Sequence, residues 1–304
     1  MSSIWSRAFG RLPRRFPQAA IGILLIVPAA AFLLTFFVTP LVLMFWMSLH
    51  KWPLLGKTSW IGFKNYVMMF HNDVFVHSIW FTGAYTALIV PLLLVVGLGL
   101  AMLVRRKARG VGVLRTIFFA PVVVGLAPAA YIWIFLVDPR VGLLDQVLRD
   151  THITSSPPVW LADPNLALAA AIAMVVWKTA GFGMLLLLTG LLSIPDEVTE
   201  AARIDGASPG QLFRMVTLPL LRRPIALTLT FSLIGGALAF EQFFLLTEGG
   251  PNNSTTTIVH AIYSTSFSRF DLGLGAAMSI FLMVILVLVS SFQLYVLRDA
   301  RADA

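Results

Sequence analysis

EVTEAARIDGASPGQLFRMVTLPL, residues Glu197–Leu220, is a polar island in an otherwise apolar chain. Ser193 with Asp196 has the spacing of a capping box, and Pro195, Asp196 and Glu197 suit the first turn of a helix. That helix is predicted to run through Glu200, Ala201 and Ala202 to about Asp205. Gly206 ends it, because glycine accepts the left-handed conformation of a sharp C-cap. Ser208 opens a second helix, with Pro209 at its first position, Gln211 completing another capping box, and an end near Leu218-Pro219. The stretch is therefore expected to be a compact helix–turn–helix. Its small residues Ala201, Ala202, Gly206 and Ala207 permit close approach of another surface. A plain linker and a rigid docking element fit these residues equally well.

On both sides of the island the chain turns apolar. Of 304 residues, 58% are hydrophobic and only 12% charged, and the mean hydropathy is +0.87. A soluble domain is roughly half apolar and about a quarter charged, so this is a membrane protein. With no cysteine, disulfides and thiolate chemistry are excluded.

Crossing the hydrocarbon takes about 20 apolar residues. Six such runs are legible: Ala20–Met47, Val76–Val104, Val113–Val137, Asn165–Leu192, Pro224–Leu246 and Leu272–Leu297. The first is too long for the apolar core of a cleaved signal peptide and is expected to be retained. The chain is read as a cytoplasmic segment 1–19, one membrane domain 20–297 carrying the island within 193–223, and a cytoplasmic tail 298–304.

Charge orients these spans. Fifteen basic residues lie on the side of both termini and the island, among them Arg7, Arg11, Arg14, Arg15, Arg105, Arg106, Lys107, Arg203 and Arg222. Six lie on the other side, and Lys178 falls inside a span. Short loops rich in Lys and Arg stay cytoplasmic, so both termini and the island are predicted to face the cytoplasm. Trp46, Trp52, Trp60, Trp80, Trp133 and Trp160 fall towards the outer ends, as interfacial tryptophans do. The net charge of +8 thus reflects orientation against the lipid and not nucleic-acid binding.

The island and its flanks resemble a known family. Glu200-Ala201-Ala202, three residues, Gly206, and then Leu218-Pro219 resemble the EAA segment of ABC-importer membrane subunits. FEQFFLLTEGGPNNSTTTIVHAIYSTSF (Phe240–Phe267), WIGFKNY (Trp60–Tyr66) and LRTIFFAPVVV (Leu114–Val124) are similar to its carbohydrate branch, the maltose- and glycerol-phosphate-type permeases. Glu241 departs from the Asp more frequent there. The resemblance implies an all-α polytopic fold with six transmembrane helices of the type I permease class. It also implies a cytoplasmic coupling helix between spans 4 and 5. Glu200, Ala201, Ala202, Asp205, Gly206, Leu218 and Pro219 would then contact a cytoplasmic ATPase dimer. The other implied partners are a second homologous permease and an extracytoplasmic solute-binding protein.

No phosphate loop, HExxH or GxSxG occurs. The chain is not expected to be an enzyme or to hold a cofactor; ATP and Mg would belong to the partner ATPase. His50, His71, His77, His152 and His260 are scattered, and no metal site is expected. Charged or amide groups inside spans point to a cavity or a partner. Trp177 with Lys178, and Glu241 with Gln242, are therefore the candidates for the substrate pathway. An ion pair between Lys178 and Glu241, or a contact of Glu241 with the partner permease, would explain the charges equally well. The expected solute is a sugar; glycerol phosphate or a glycerophosphodiester is the alternative. A secondary transporter would carry several coupling carboxylates within its spans, where one is found.

Overall fold

The computed structural model describes residues 18–105, 108–152 and 158–302. The N-terminal cluster Arg7, Arg11, Arg14 and Arg15, and Arg106 and Lys107, lie outside the described residues. The chain is helical, with one two-residue hairpin of strands, β1 (His50–Lys51) and β2 (Ser59–Trp60), paired antiparallel.

Among the described residues, four helices are long and apolar enough to cross a membrane. The first, α1, comprises Gln18–Leu33, a π-turn Leu34–Val38 and Thr39–Ser48. It lies largely uncovered, with Leu24 and Leu25 each 71% exposed. Such a surface is stable only against lipid or another apolar chain. A short helix α2 (Lys64–Phe70) follows, then α3 (Asp73–Leu103). The motif WIGFKNY anchors the end of α1, since buried Asn65 donates to the carbonyls of Ser48 and His50 at 2.8 and 2.9 Å.

The expected third span is not straight. It divides into α4 (Val111–Val123) and α5 (Leu126–Leu136), bent by 100°. Val124 and Gly125 are extended at the break. Pro128 cannot donate a backbone hydrogen bond four residues back, so a helix through this point would lose a rung. A polar helix α6 (Leu143–Asp150) leads to α7 (Pro164–Leu192), the central helix. The α3–α7 contact is tight: a side chain added at Gly97 would meet the Gly183 backbone at 3.3 Å. Small residues allow this approach, which is how helices without a hydrophobic driving force pack in lipid.

The island forms α8 (Asp196–Ile204) and α9, the latter made of Pro209–Gln211, a π-turn Leu212–Thr217 and Leu218–Leu220. The chain then bends by 70° into α10 (Arg222–Ala237). The expected fifth span is also interrupted. α10 has 16 residues, about 24 Å at 1.5 Å per residue, short of a bilayer core of about 30 Å. After a break at Leu238–Phe240 a separate helix, α11 (Glu241–Thr247), completes it. α12 (Ile258–Tyr263, then a π-turn Ser264–Ser268) precedes α13 (Leu272–Ala302). α13 continues through residues expected to be tail. Counting α4 with α5, and α9 with α10, as one bent span each gives up to six spans among the described residues.

Three cores hold the bundle. The middle one packs Tyr85, Ile89 and Leu93 of α3 against Met174 and Val175 of α7 and Phe243 of α11. A second, at the end bearing the β-hairpin, joins Met69, Phe75, Ile258 and Met278. The third, at the island end, joins Ala101, Met184, Leu187, Leu191 and Leu221.

Candidate functional site

Between α3, α7, α10 and α11 lies a cavity of about 360 Å³. Its polar lining is Tyr85, Lys178, Thr179, Thr228, Ser232 and Gln242. The rings of Phe182 and Phe231 rim it, packed edge to face at 5.4 Å. A second, wider cavity of about 660 Å³ adjoins it and shares Leu126, Lys178, Gly235 and Gln242. Phe240 and Glu241 line only the wider one. A few polar groups in a mainly apolar concavity is the usual composition of a small-molecule site.

Each candidate residue has a definite place. Lys178 is buried, and its ammonium donates to the carbonyls of Val124 at 2.6 Å and Val122 at 3.3 Å. Its hydrogen bonds therefore go to the α4–α5 break, and none goes to Glu241. Gln242 is buried and donates to the Tyr85 hydroxyl at 3.5 Å, while Glu241 is exposed on the wider cavity. Trp177 does not join them. Its side chain turns towards Trp133, at 6.3 Å between ring centres, and lines neither cavity. One residue along a helix rotates by about 100°, which carries Trp177 off the face that Lys178 occupies. Tyr85, Thr228, Ser232, Phe182 and Phe231 were not singled out in the sequence. The available signal was polarity within apolar runs, as in Tyr85-Thr86 and the Thr228/Ser232 pair.

The second constellation is the α8–α9 hairpin. Gly206 has φ +84°. The Gly206 amide donates to the Arg203 carbonyl and the Ala207 amide to the Ala202 carbonyl, each at 3.0 Å. This double closure is a Schellman cap. Ser208 and Gln211 form the expected capping box. Ser193 does not. It ends α7, its hydroxyl donating to the Gly190 carbonyl, and Pro195 precedes α8 without a side-chain cap. Ser193 is the C-cap residue of α7 with helical backbone angles, and α8 starts two residues later than the capping box requires, with Pro195 in the N-cap position.

Glu200, Ala201, Asp205, Gly206 and Leu218 are exposed, and Ala202 and Pro219 are half-buried. Ile204 is 86% and Met215 70% exposed. Beneath the hairpin a groove of about 540 Å³ runs past Met102, Arg105, Leu191, Arg203 and Phe213. Among the described residues no cluster of three or more His, Asp or Glu is arranged to hold a metal.

At the opposite end, His260 of α12 is buried beside Phe240 and Phe244, and its Nδ1 has no hydrogen-bond partner among the described residues. Burial pushes its pKa below the ordinary histidine value, and the nearby Glu248 carboxylate opposes the shift. The resulting stabilisation is complete above about pH 6.5, the ordinary histidine value. It is lost as pH falls below that, because the unfolded chain then binds the proton more readily. The melting temperature of the detergent-solubilised protein is expected to decline as the medium is acidified. The decline should be shallower for His260→Gln; equal slopes would contradict it.

A bundle of membrane-length helices around a half-open, mainly apolar cavity with a few polar groups, and a doubly capped hairpin at one end, fits the membrane subunit of a transporter. Residues 93–302 match the binding-protein-dependent transport system inner membrane component, and the chain belongs to that family. It is the permease subunit of an ABC importer, a multi-pass inner-membrane protein. It is 33% identical to the trehalose/maltose transport system permease protein MalF of Thermococcus litoralis, over 94% of this chain and 96% of that one. It is 32% identical to the sulfoquinovosyl glycerol permease protein SmoG of Agrobacterium fabrum, over 91% and 90%. In three dimensions it resembles a bacterial ABC transporter involved in import of the acidic polysaccharide alginate. The TM-score is 0.82 at 23% identity, covering 92% of this chain and 95% of that one. The fold is the type I permease fold, with four to six candidate spans among the described residues.

Proposed function

We propose that this subunit forms half of the translocation pathway for a sugar and transmits the work of a cytoplasmic ATPase dimer to it. The observation that carries the reading is the α8–α9 hairpin. It is closed by its own caps, exposed, and continuous with both α7 and α10, which wall the cavity. A displacement of such a hairpin is transmitted to the cavity, because the caps prevent it from being absorbed locally. Glu200, Ala201, Ala202, Asp205 and Gly206 form the contact, and Leu218-Pro219 joins it to α10. ATP and Mg belong to the ATPase. The second wall of the half-open cavity comes from a homologous permease, and solute arrives from an extracytoplasmic binding protein.

The cavity chemistry favours an uncharged polyhydroxylated solute. Tyr85, Gln242, Ser232 and Glu241 offer hydroxyl, amide and carboxylate groups, and Phe182 and Phe231 offer flat apolar faces. The Lys178 ammonium commits two of its three donors to backbone carbonyls, which leaves one for a solute. Purified cognate binding protein, screened by thermal shift against neutral disaccharides and glycerol 3-phosphate, tests this. Stabilisation by glycerol 3-phosphate alone would overturn the sugar reading.

The basic asymmetry supports a cytoplasmic position for both termini and the hairpin. Single cysteines introduced into the cysteine-free chain check this. Asn252→Cys, exposed in the loop before α12, is expected to react with an impermeant maleimide added to cells with a permeabilised outer barrier. Asp205→Cys is expected to react only after the cell membrane is opened. The reverse pattern would overturn the topology.

A further inference from the structure

We propose that Phe240, Phe244, Tyr263 and Phe267 form a stacking track for pyranose rings, a second solute subsite at the mouth of the wider cavity. This rests on the sugar reading above and adds a place to it.

The four rings make an unbroken row. Phe240 and Phe244 lie 5.0 Å apart and nearly parallel, at 22°. Tyr263 meets them at 5.3 and 5.2 Å, and Phe267 follows Tyr263 at 5.4 Å. Exposure rises along it: Phe240 and Phe244 are half-buried, Tyr263 is 37% and Phe267 62% exposed. The inner end is Phe240, which lines the wider cavity with Glu241 and Gln242. The row thus runs from an open surface into the place where the polar groups are.

Two features distinguish it from a lipid-facing aromatic patch. Glu241 is exposed on the same helix as Phe244, three residues away, and a carboxylate at that position requires water or a polar ligand. His260 backs the row, its ring 6.0 Å from Phe240 and 5.4 Å from Phe244. Rings held from behind lose little further freedom when a ligand arrives. A row of aromatic rings ending at a carboxylate and an amide matches a pyranose. Its axial C–H face is apolar and suits a ring, while its rim hydroxyls need polar partners. The spacing of the rings is comparable to the width of one sugar ring, so a solute can pass from one to the next without leaving the surface.

The test is saturation-transfer NMR on the purified, lipid-reconstituted complex without its binding protein. The probes are methyl glucoside, maltose and maltotriose. Wild type is expected to transfer saturation to the axial ring protons. The double variant Tyr263→Leu/Phe267→Leu is expected to bind the probes about threefold to tenfold more weakly per ring removed. The loss should be larger for maltotriose than for methyl glucoside. Unchanged binding in the double variant, with loss in Gln242→Ala, would overturn the track and leave the sugar reading intact. Absence of transfer from every probe in wild type would overturn both. Loss of the second permease from the purified double variant would identify the row as a subunit interface and overturn the track.

Discussion

Gly206→Val is expected to abolish most solute uptake while the subunit still reaches the membrane. Gly206 sits at φ +84°, and nothing lies within 4 Å of where a Cβ would be. The obstacle is therefore backbone strain and not crowding. A β-branched residue in the left-handed region costs about 2 kcal/mol, roughly a thirtyfold shift away from the capped hairpin at about 1.4 kcal/mol per tenfold. The amides of Gly206 and Ala207 would leave the Arg203 and Ala202 carbonyls, and α9 would no longer fold back beside α8. Insertion depends on the apolar spans, which are untouched. Glu200→Lys isolates the contact from the shape. Glu200 is exposed, so its reversal leaves the hairpin formed but opposes whatever charge it meets on the ATPase. Copurification of the ATPase and radiolabelled uptake, at matched membrane levels, read both variants. Gly206→Ala should fall between wild type and Gly206→Val, since alanine bears the same backbone strain without the β-branch. Normal uptake in both Gly206→Val and Glu200→Lys would reduce the hairpin to a linker.

Turn chemistry of this kind is legible because it is local. Gly206, Ser208 and Gln211 act within four residues of themselves, and the structure has the glycine cap and the capping box where the sequence places them. Ser193 fails because it is still in the last turn of α7 and Pro195 takes the N-cap position of α8, a boundary that spacing alone does not locate. The lining of the cavity was less legible. In a soluble helix the apolar stripe names the inward face. In a membrane helix both faces are apolar, and that contrast vanishes. Lys178 and Gln242 stood out because charge and amide are rare in a span. Tyr85, Phe182 and Phe231 did not, since an aromatic residue fits lipid, core and cavity alike. Trp177 was grouped with Lys178 by adjacency, although neighbouring residues on a helix point to different sides. The breaks at Val124–Gly125 and Leu238–Phe240 were hidden for another reason. Hydropathy counts apolar residues along the chain and carries no record of where the backbone turns.

The break at Val124–Gly125 explains what Lys178 does and what its loss should bring. In an unbroken helix the Val124 carbonyl would accept from residue 128, but that residue is Pro128 and has no N–H. The Val122 carbonyl likewise ends without its helical donor once the chain turns extended at Val124. Two carbonyls are then left without helical donors at the cavity wall, where backbone groups at membrane depth need other partners. Lys178 supplies both, at 2.6 and 3.3 Å. The carbonyl end of α4 carries partial negative charge, which in turn holds the ammonium. The lysine is thus the pin of the bent third span as well as part of the cavity wall. Lys178→Met keeps the unbranched apolar stem, one atom shorter, and removes the donors. Each carbonyl left unpaired costs about 1–3 kcal/mol, partly offset because a buried cation is no longer desolvated. Uptake is expected to fall by about tenfold or more, since a net loss near 1.4 kcal/mol already corresponds to that factor. The melting temperature of the purified complex should fall with it. Lys178→Gln separates the pin from the charge, because an amide can donate to the same carbonyls without being cationic. Recovery of stability and uptake in Lys178→Gln would assign Lys178 to the bend alone. Recovery of stability without uptake would add a role for the charge in solute passage. Full stability and uptake in Lys178→Met would mean that the bend holds without its pin, and the assignment fails.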